Sequence, residues 1–246
     1  MPRQGSTRSR SWRWTTISHP SATAAYLTGR KQGAQNEMVA AAARWLFRST
    51  PRRLWIDALA ELDREELVPP NHHSPYGTGL DATLGRWLYA LIRVRRPETV
   101  IETGVAHGSS SWLILNAMRK NGRGKLHSID LPGRDAHHGY NVLASETGSM
   151  VPGELRSRWN LVIGDSTAEL SRLLTEVGSL DVFFHDSDHS YEAMRNEFDA
   201  VIPRLGPGAA LVADDIHKNA AFAEACRVHC LRSYVFRKGG AATPSV

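Results

Sequence analysis

Residues capable of acid–base or metal chemistry are concentrated in the run Phe184 to Glu192, which reads Phe-His-Asp-Ser-Asp-His-Ser-Tyr-Glu. An apolar stretch typical of a buried strand precedes it. The two carboxylates and two imidazoles within its first six residues could exchange a proton near neutral pH or hold a divalent cation. A second acidic pair, Asp214 and Asp215, follows the apolar stretch 209–213. If the two strands are neighbours, these groups form one site.

The stretch from Thr99 to Ser110 indicates a different chemistry, because a β-branched run gives way to small residues and then to an apolar helical pattern. This pattern predicts a strand, a tight turn and a helix. Gly104 and Gly108 would leave room for a ligand near the backbone, and the helix start would offer free N–H groups. Glu102, at the end of the strand, could accept hydrogen bonds from a cationic or hydroxyl-bearing ligand.

The glycine spacing bears on which cofactor the turn would take. A dinucleotide fingerprint would require glycine at 104, 106 and 109, but this chain has Ala106 and Ser109. The spacing therefore disfavours a nicotinamide-dependent oxidoreductase, which stays as an alternative.

Two further strand ends carry groups suited to a nucleoside. Asp130, at the end of the predicted strand 125–131, could accept both hydroxyls of a ribose. Asp165 and Ser166, after the strand 161–163, could meet an adenine amine.

The elements that must position these residues are five strands alternating with helices. This alternation predicts an α/β fold, a Rossmann-like, doubly wound and mostly parallel sheet with helices on both faces, plus an N-terminal helical extension. Ligands of such sheets bind at the carboxyl ends of the strands. The polar clusters fall at that edge, so we expect one site there.

Charge divides the chain of 246 residues, whose formal net charge is +5, into a basic tail and a nearly neutral remainder. Six of the 30 basic residues lie within 1–36, which contains no acid, so we expect no basic face and no nucleic-acid partner. We divide the chain into a disordered basic tail (1–35), a helical leader and loop (36–79) and the main domain (80–246). No apolar run approaches the ~20 residues of a membrane span, and two cysteines suit a cytoplasmic location.

Two segments are less constrained by pattern. The leader helices have apolar stripes, which leave three roles open: covering an edge of the domain, forming a homo-oligomer contact, or roofing a substrate pocket. Residues 132–159 are long for an α/β connection, and we predict a partly helical insert that could act as a lid.

Residues 80–216 resemble the class I S-adenosylmethionine (SAM) dependent methyltransferases. The resemblance is strongest to the small-molecule O-methyltransferases of the catechol O-methyltransferase-like and macrocin O-methyltransferase-like groups. It is carried by the acid-x-Gly-x-small-x-Gly run that begins at Glu102. It is also carried by the Asp-x-Asp-His-x-Tyr-Glu run that begins at Asp186, and by the Val-Ala-Asp-Asp run at 212–215.

The resemblance implies a role for each matching position. The residues expected to bind SAM are Glu102, Gly104, Ala106, Gly108, Ser109, Asp130, Asp165 and Ser166. Asp186, Asp214 and Asp215 match acids that bind a divalent ion, such as Mg²⁺, in metal-dependent relatives. His189, with Asp186, falls where relatives place catalytic side chains.

The resulting prediction is transfer of a methyl group from SAM to a hydroxyl of a small molecule, with assistance from a divalent metal as an open question. Besides the oxidoreductase, a non-catalytic SAM-binding module stays as an alternative. The chain departs from the family pattern at its end, where only 232–237 reads as a strand, so we expect the last strand of the sheet to be missing.

Overall fold

The computed structural model describes residues 32–65, 67, 82–134, 141–235 and 243–244. The predicted disordered tail lies outside the described residues except for its last few positions. The loop 68–77 and part of the insert, 135–140, also lie outside them. No helix in the described ranges is long and apolar enough to cross a membrane.

The described main sheet has five strands, all parallel, which confirms the predicted fold class. Their order is β5-β2-β1-β6-β7. The strands are β1 (Thr99–Thr103), β2 (Lys125–Asp130), β5 (Trp159–Ile163), β6 (Leu180–His185) and β7 (Leu205–Ala213). Thr103 is opposite Ile129 on one side and His185 on the other, so the strands end at a common edge.

Helices cover both faces of the sheet. Those of the described chain are α1 (Gln32–Leu46), α2 (Arg52–Arg64), α3 (Ala82–Arg95), α4 (Ser109–Asn121), α5 (Ser166–Val177), α6 (Tyr191–Val201) and α7 (Ala221–Val228). Alternate side chains of each strand point to opposite faces. Val100 and Phe184 join the apolar cluster of α1–α4, whereas Ile101 and Phe183 join that of α5–α7.

The two N-terminal helices share an apolar core with the sheet. Trp55 of α2 stacks on Trp87 of α3 with ring centroids 5.4 Å apart, and Phe47 stacks on Trp55 at the same distance. Buried rings of this size contribute strongly to core packing. The helices therefore cover one face of the domain, and the predicted domain boundary at residue 79 and the homo-oligomer contact stay predictions.

The insert and the chain end each form small structures of their own. The insert contains β3 (Gly133–Arg134), antiparallel to β4 (Asn141–Val142), then a run of turns and a 3₁₀ helix at Gly153–Arg158. Near the end of the chain, β8 (Tyr234–Val235) pairs antiparallel with β9 (Thr243–Pro244). Within the described residues this pair forms a separate two-stranded sheet and adds no strand to the main one.

Candidate active site

The turn after β1 lies at the centre of the polar edge. Gly104 has a φ of 85°, and a side-chain carbon there would overlap the carbonyl oxygen of Asp186. The N–H of Asp186 donates to the carbonyl of Thr103 at 2.8 Å. Glycine at 104 therefore allows the backbone after β6 to approach the backbone after β1, and its predicted role of leaving room for a ligand stays a prediction.

The insert covers the next part of the turn. The N–H of Gly148 donates to the Ala106 carbonyl at 2.8 Å, and that of Met150 donates to the His107 carbonyl at 2.9 Å. A side-chain carbon at Gly108, where φ is 93°, would lie 3.0 Å from Cα of Gly148. The insert thus contacts the predicted cofactor loop directly.

Ser109 begins α4 and is also in contact with the insert. Its hydroxyl lies 3.3 Å from the sulfur of Met150. The SAM-binding roles predicted for Gly104, Ala106, Gly108 and Ser109 stay predictions.

Glu102 is fully buried, and its carboxylate accepts hydrogen bonds from three serine hydroxyls. Ser110 and Ser111 of α4 donate at 2.5 Å, and Ser128 of β2 donates at 2.7 Å. Burial raises the pKa of Glu102 to about 7, against the opposing effect of the three hydroxyls. Glu102 of β1 is thus hydrogen-bonded both to β2 and to the start of α4, and these bonds hold the turn between β1 and α4 in place.

Asp130 lies at the tip of β2 and faces the same turn. The N–H of Val105 donates to its Oδ1 atom at 3.2 Å. Burial raises the pKa of Asp130, although Val105, Ala106 and Thr147 donate to it. Further hydrogen-bond donors would stabilise the charged form of this half-buried carboxylate, and the two hydroxyls of a ribose are such donors. The position therefore fits the predicted nucleoside.

Asp165 and Ser166 are adjacent, but their side chains have different partners. The exposed Asp165 carboxylate caps α5 by accepting the N–H of Thr167 at 2.7 Å, and the Thr167 hydroxyl and N–H lower its pKa. The Ser166 hydroxyl donates to Glu197 at 2.6 Å. Of this predicted adenine pair, Asp165 faces solvent and Ser166 points inwards.

Glu197, on α6, was not among the residues predicted from the sequence, yet its buried carboxylate organises this edge. Besides Ser166, it accepts hydrogen bonds from Thr103 at 2.7 Å, from Ser187 at 2.8 Å and from Nδ1 of His185 at 2.8 Å. Burial raises its pKa, but His185 and the hydroxyls outweigh that effect and lower it. The sequence does contain a signal for Glu197. It lies three residues after Met194, on the apolar stripe of the helix, where an acid is unusual.

The predicted catalytic pair lies in the loop after β6. Nε2 of His189 is 3.6 Å from Oδ1 of Asp186. The His189 ring meets the ring of His185 edge to face at 5.4 Å. Burial, His185 and Lys218 lower the pKa of His189, so its imidazole is neutral at pH 7. A neutral imidazole can accept a proton.

The three predicted metal ligands come together at the ends of β6 and β7. Oδ2 of Asp215 is 2.8 Å from the ammonium nitrogen of Lys218, and Asp215 has a left-handed φ of 50°. Burial, Asp186 and Asp215 raise the pKa of Asp214. Across the described residues no group of three or more His, Cys, Asp or Glu side chains could hold a metal ion. The metal-binding role of Asp186, Asp214 and Asp215 therefore stays a prediction.

The family of this segment follows from comparison with known proteins. Residues 101–216 match a family described as a methyltransferase domain. The matched segment is just under half of the chain. The match includes the turn after β1, Asp130, the His189 loop and the acidic pair after β7, so it confirms the resemblance to class I SAM-dependent methyltransferases. A search of curated proteins finds no match.

Solved structures similar to the methyltransferase domain include three described as methyltransferases. An O-methyltransferase from Bacillus cereus in complex with SAH is 15% identical, with a TM-score of 0.46, over 81% of this chain and 86% of that one. A chain from Klebsiella pneumoniae, provisionally described as an O-methyltransferase, is 18% identical, with a TM-score of 0.43, over 62% and 61%. MycE of the mycinamycin biosynthetic pathway, in complex with Mg, SAH and mycinamycin VI, is 21% identical, with a TM-score of 0.36, over 50% and 29%.

Proposed function

We propose that this protein transfers the methyl group of SAM to a hydroxyl oxygen of a small molecule. One observation carries the proposal: the turn Gly104–Val105 has a predicted cofactor residue on one side and a predicted catalytic loop on the other. Asp130 accepts the Val105 N–H, and the backbone of Asp186 lies directly against Gly104. A nucleoside held by Asp130 would therefore lie beside the loop that carries His189.

The bound cofactor would supply an electrophilic methyl group on a sulfonium. Asp130 would accept the ribose hydroxyls, and free N–H groups at the start of α4 would face the polar end of the ligand. Glu102, bonded to three serines, would fix the shape of that helix start without reaching the ligand. Asp165, exposed at the tip of β5, is the remaining candidate for contact with adenine.

His189 is the proposed base. A hydroxyl must lose its proton as its oxygen attacks the methyl carbon, and a neutral imidazole within hydrogen-bond reach can take that proton. The carboxylate of Asp186, 3.6 Å from Nε2 of His189, would then stabilise the imidazolium. The mostly buried position of His189 keeps competing water away from the transfer.

Metal assistance by Asp186, Asp214 and Asp215 stays a prediction and is not needed for these steps. Lys218 already offsets the charge of Asp215. Addition of EDTA tests the metal directly: loss of turnover with restoration by Mg²⁺ would support it, and unchanged turnover would remove it.

The deciding experiment is an assay of SAH formation with hydroxylated sugars, polyketides and phenols as acceptors. We expect turnover with at least one acceptor and a fall of about 10²-fold or more in His189→Gln, the size expected for loss of a general base. His229→Gln, at the end of α7, is the matched control and should keep full activity. SAM binding without turnover of any acceptor would instead favour the non-catalytic module, and NAD binding would favour the oxidoreductase.

A further inference from the structure

A cavity lies at the opposite edge of the sheet, where the strands begin. Its volume is about 240 Å³, and it lies between the end of α3 and the first residues of β6 and β7. The charged residues that line it are Arg95, Arg96, Glu98, Arg123 and Asp181. This edge is remote from the proposed catalytic turn, so the cavity belongs to a different site.

The two acids of the cavity already have partners. Oδ2 of Asp181 accepts the backbone N–H of Glu98 at 2.8 Å and that of Thr99 at 3.1 Å, which anchors the start of β1. Glu98 forms an ion pair with Arg123. Three arginines and two carboxylates line the cavity, so its wall keeps a net positive charge, and with Glu98 paired to Arg123 this excess lies on Arg95 and Arg96.

Arg95 is held rigidly with donors to spare. Its guanidinium lies 4.8 Å from the centre of the Phe47 ring and donates to the Gly208 carbonyl at 3.1 Å and to the Thr50 hydroxyl at 3.4 Å. A guanidinium has about five N–H donors. No described carboxylate forms an ion pair with Arg95. Burial lowers the pKa of Arg95, and the charge of Asp181 opposes that effect without outweighing it. An anion in the cavity would offset this half-buried charge.

Arg96 contributes a second guanidinium from a strained backbone. It lies in the short segment between α3 and Pro97 and has a φ of 52°, a backbone conformation that residues other than glycine rarely adopt. Its Nη2 atom donates to the Asn121 carbonyl at 3.1 Å. This turn lets two consecutive arginines line the same cavity.

We propose that this cavity binds a small oxyanion of the phosphate type through Arg95 and Arg96. Arginine forks match the oxygens of such an anion in pairs. The volume suits an isolated phosphate or a small phosphomonoester, since pockets for larger organic ligands begin at about 300 Å³.

The test is thermal unfolding and calorimetry of the full chain with sodium phosphate or glycerol 3-phosphate, at an ionic strength held constant with sodium chloride. We expect a saturable rise in Tm that chloride alone does not give. Arg95→Gln and Arg96→Gln should each raise the apparent Kd about tenfold or more, as expected for loss of a charge-assisted bond. Tighter binding of one probe would show whether the anion is free or carried on a small organic group.

Arg227→Gln, an exposed change on α7 outside the cavity, is the control for loss of one positive charge and should bind like the wild type. If Arg95→Gln does not fold, Arg96→Gln decides the question, because its side chain is exposed. Equal Kd values in the wild type and Arg96→Gln, or no difference between phosphate and chloride, would overturn the proposal.

Discussion

Asp130 is the residue on which affinity for the cofactor should depend most directly. Asp130→Ala removes the carboxylate proposed to accept the ribose hydroxyls, and we expect SAM binding to weaken by about 1–3 kcal/mol, the cost of losing a charged acceptor. Isothermal titration calorimetry measures this loss. Asp57→Ala, on the exposed side of α2, is the control. Unchanged SAM affinity in Asp130→Ala would remove Asp130 from the site.

Glu102 should make the stability of the domain depend on pH. Burial raises its pKa from 4.5 to about 7, so the folded chain holds a proton that the unfolded chain releases between those values. The free energy of unfolding should therefore fall as the pH rises through that window, by about 3 kcal/mol from this group.

Glu102→Gln should flatten this part of the pH profile, because the amide does not titrate and serine hydroxyls can also accept hydrogen bonds. Urea unfolding between pH 4 and 8 measures the effect, with the exposed Glu192→Gln as control. A variant whose profile keeps the slope of the wild type would show that Glu102 is charged in the folded protein.

Among the elements, α6 joins the proposed catalytic loop to the sheet. Its Glu197 carboxylate receives hydrogen bonds from residues at the end of β1, the start of α5 and the end of β6. Separation of the strand ends would leave the buried carboxylate without its hydrogen-bond donors, which would lower the stability of the fold. These contacts therefore keep the strand ends in place relative to one another. His189 lies in the loop that follows β6, so its position depends on how these strand ends are held.

The contact between the turns after β1 and β6 should be intolerant of a side chain. Gly104→Ala would add both backbone strain and an overlap with Asp186, and we expect a loss of more than about 2 kcal/mol in the free energy of unfolding. Gly122→Ala is a matched control, because its φ of 68° is also left-handed but nothing lies within 4 Å of the added carbon.

The control should lose only about 1 kcal/mol, the cost of the backbone conformation. Denaturant unfolding of both variants separates overlap from strain. Equal losses would mean that the two loops can move apart, and the close approach that places Asp186 beside the cofactor turn would then be dispensable.

At the scale of the whole molecule, the basic tail and the enzyme domain should be separable. Deletion of residues 1–31 removes six positive charges and no acid, which changes the formal net charge from +5 to −1. The composition of this segment lacks a core-forming pattern, so we expect the same unfolding transition and the same affinity for SAM. Circular dichroism and calorimetry on the truncated chain measure both. A fall in Tm of several degrees would show that the tail packs against the domain.

Much of the architecture is determined by the sequence alone. Short apolar runs alternate with helical patterns, and this alternation produces a parallel sheet with helices on both faces. Since parallel strands end at one edge, Asp130, Asp186 and Asp214 had to gather there. The strand pairing near the end of the chain could not be predicted from the sequence, because the partner of a strand as short as Tyr234–Val235 is set by tertiary contacts.

Only the tertiary structure decided what each gathered carboxylate contacts. Glu102 meets three serines, Ser166 turns to Glu197, and Asp215 pairs with Lys218. Glycine at 104 proved to serve a contact between two loops. The period of a strand or helix fixes the face on which a side chain lies. Its partners come from segments distant in sequence, brought near by folding, and local pattern carries no information about them.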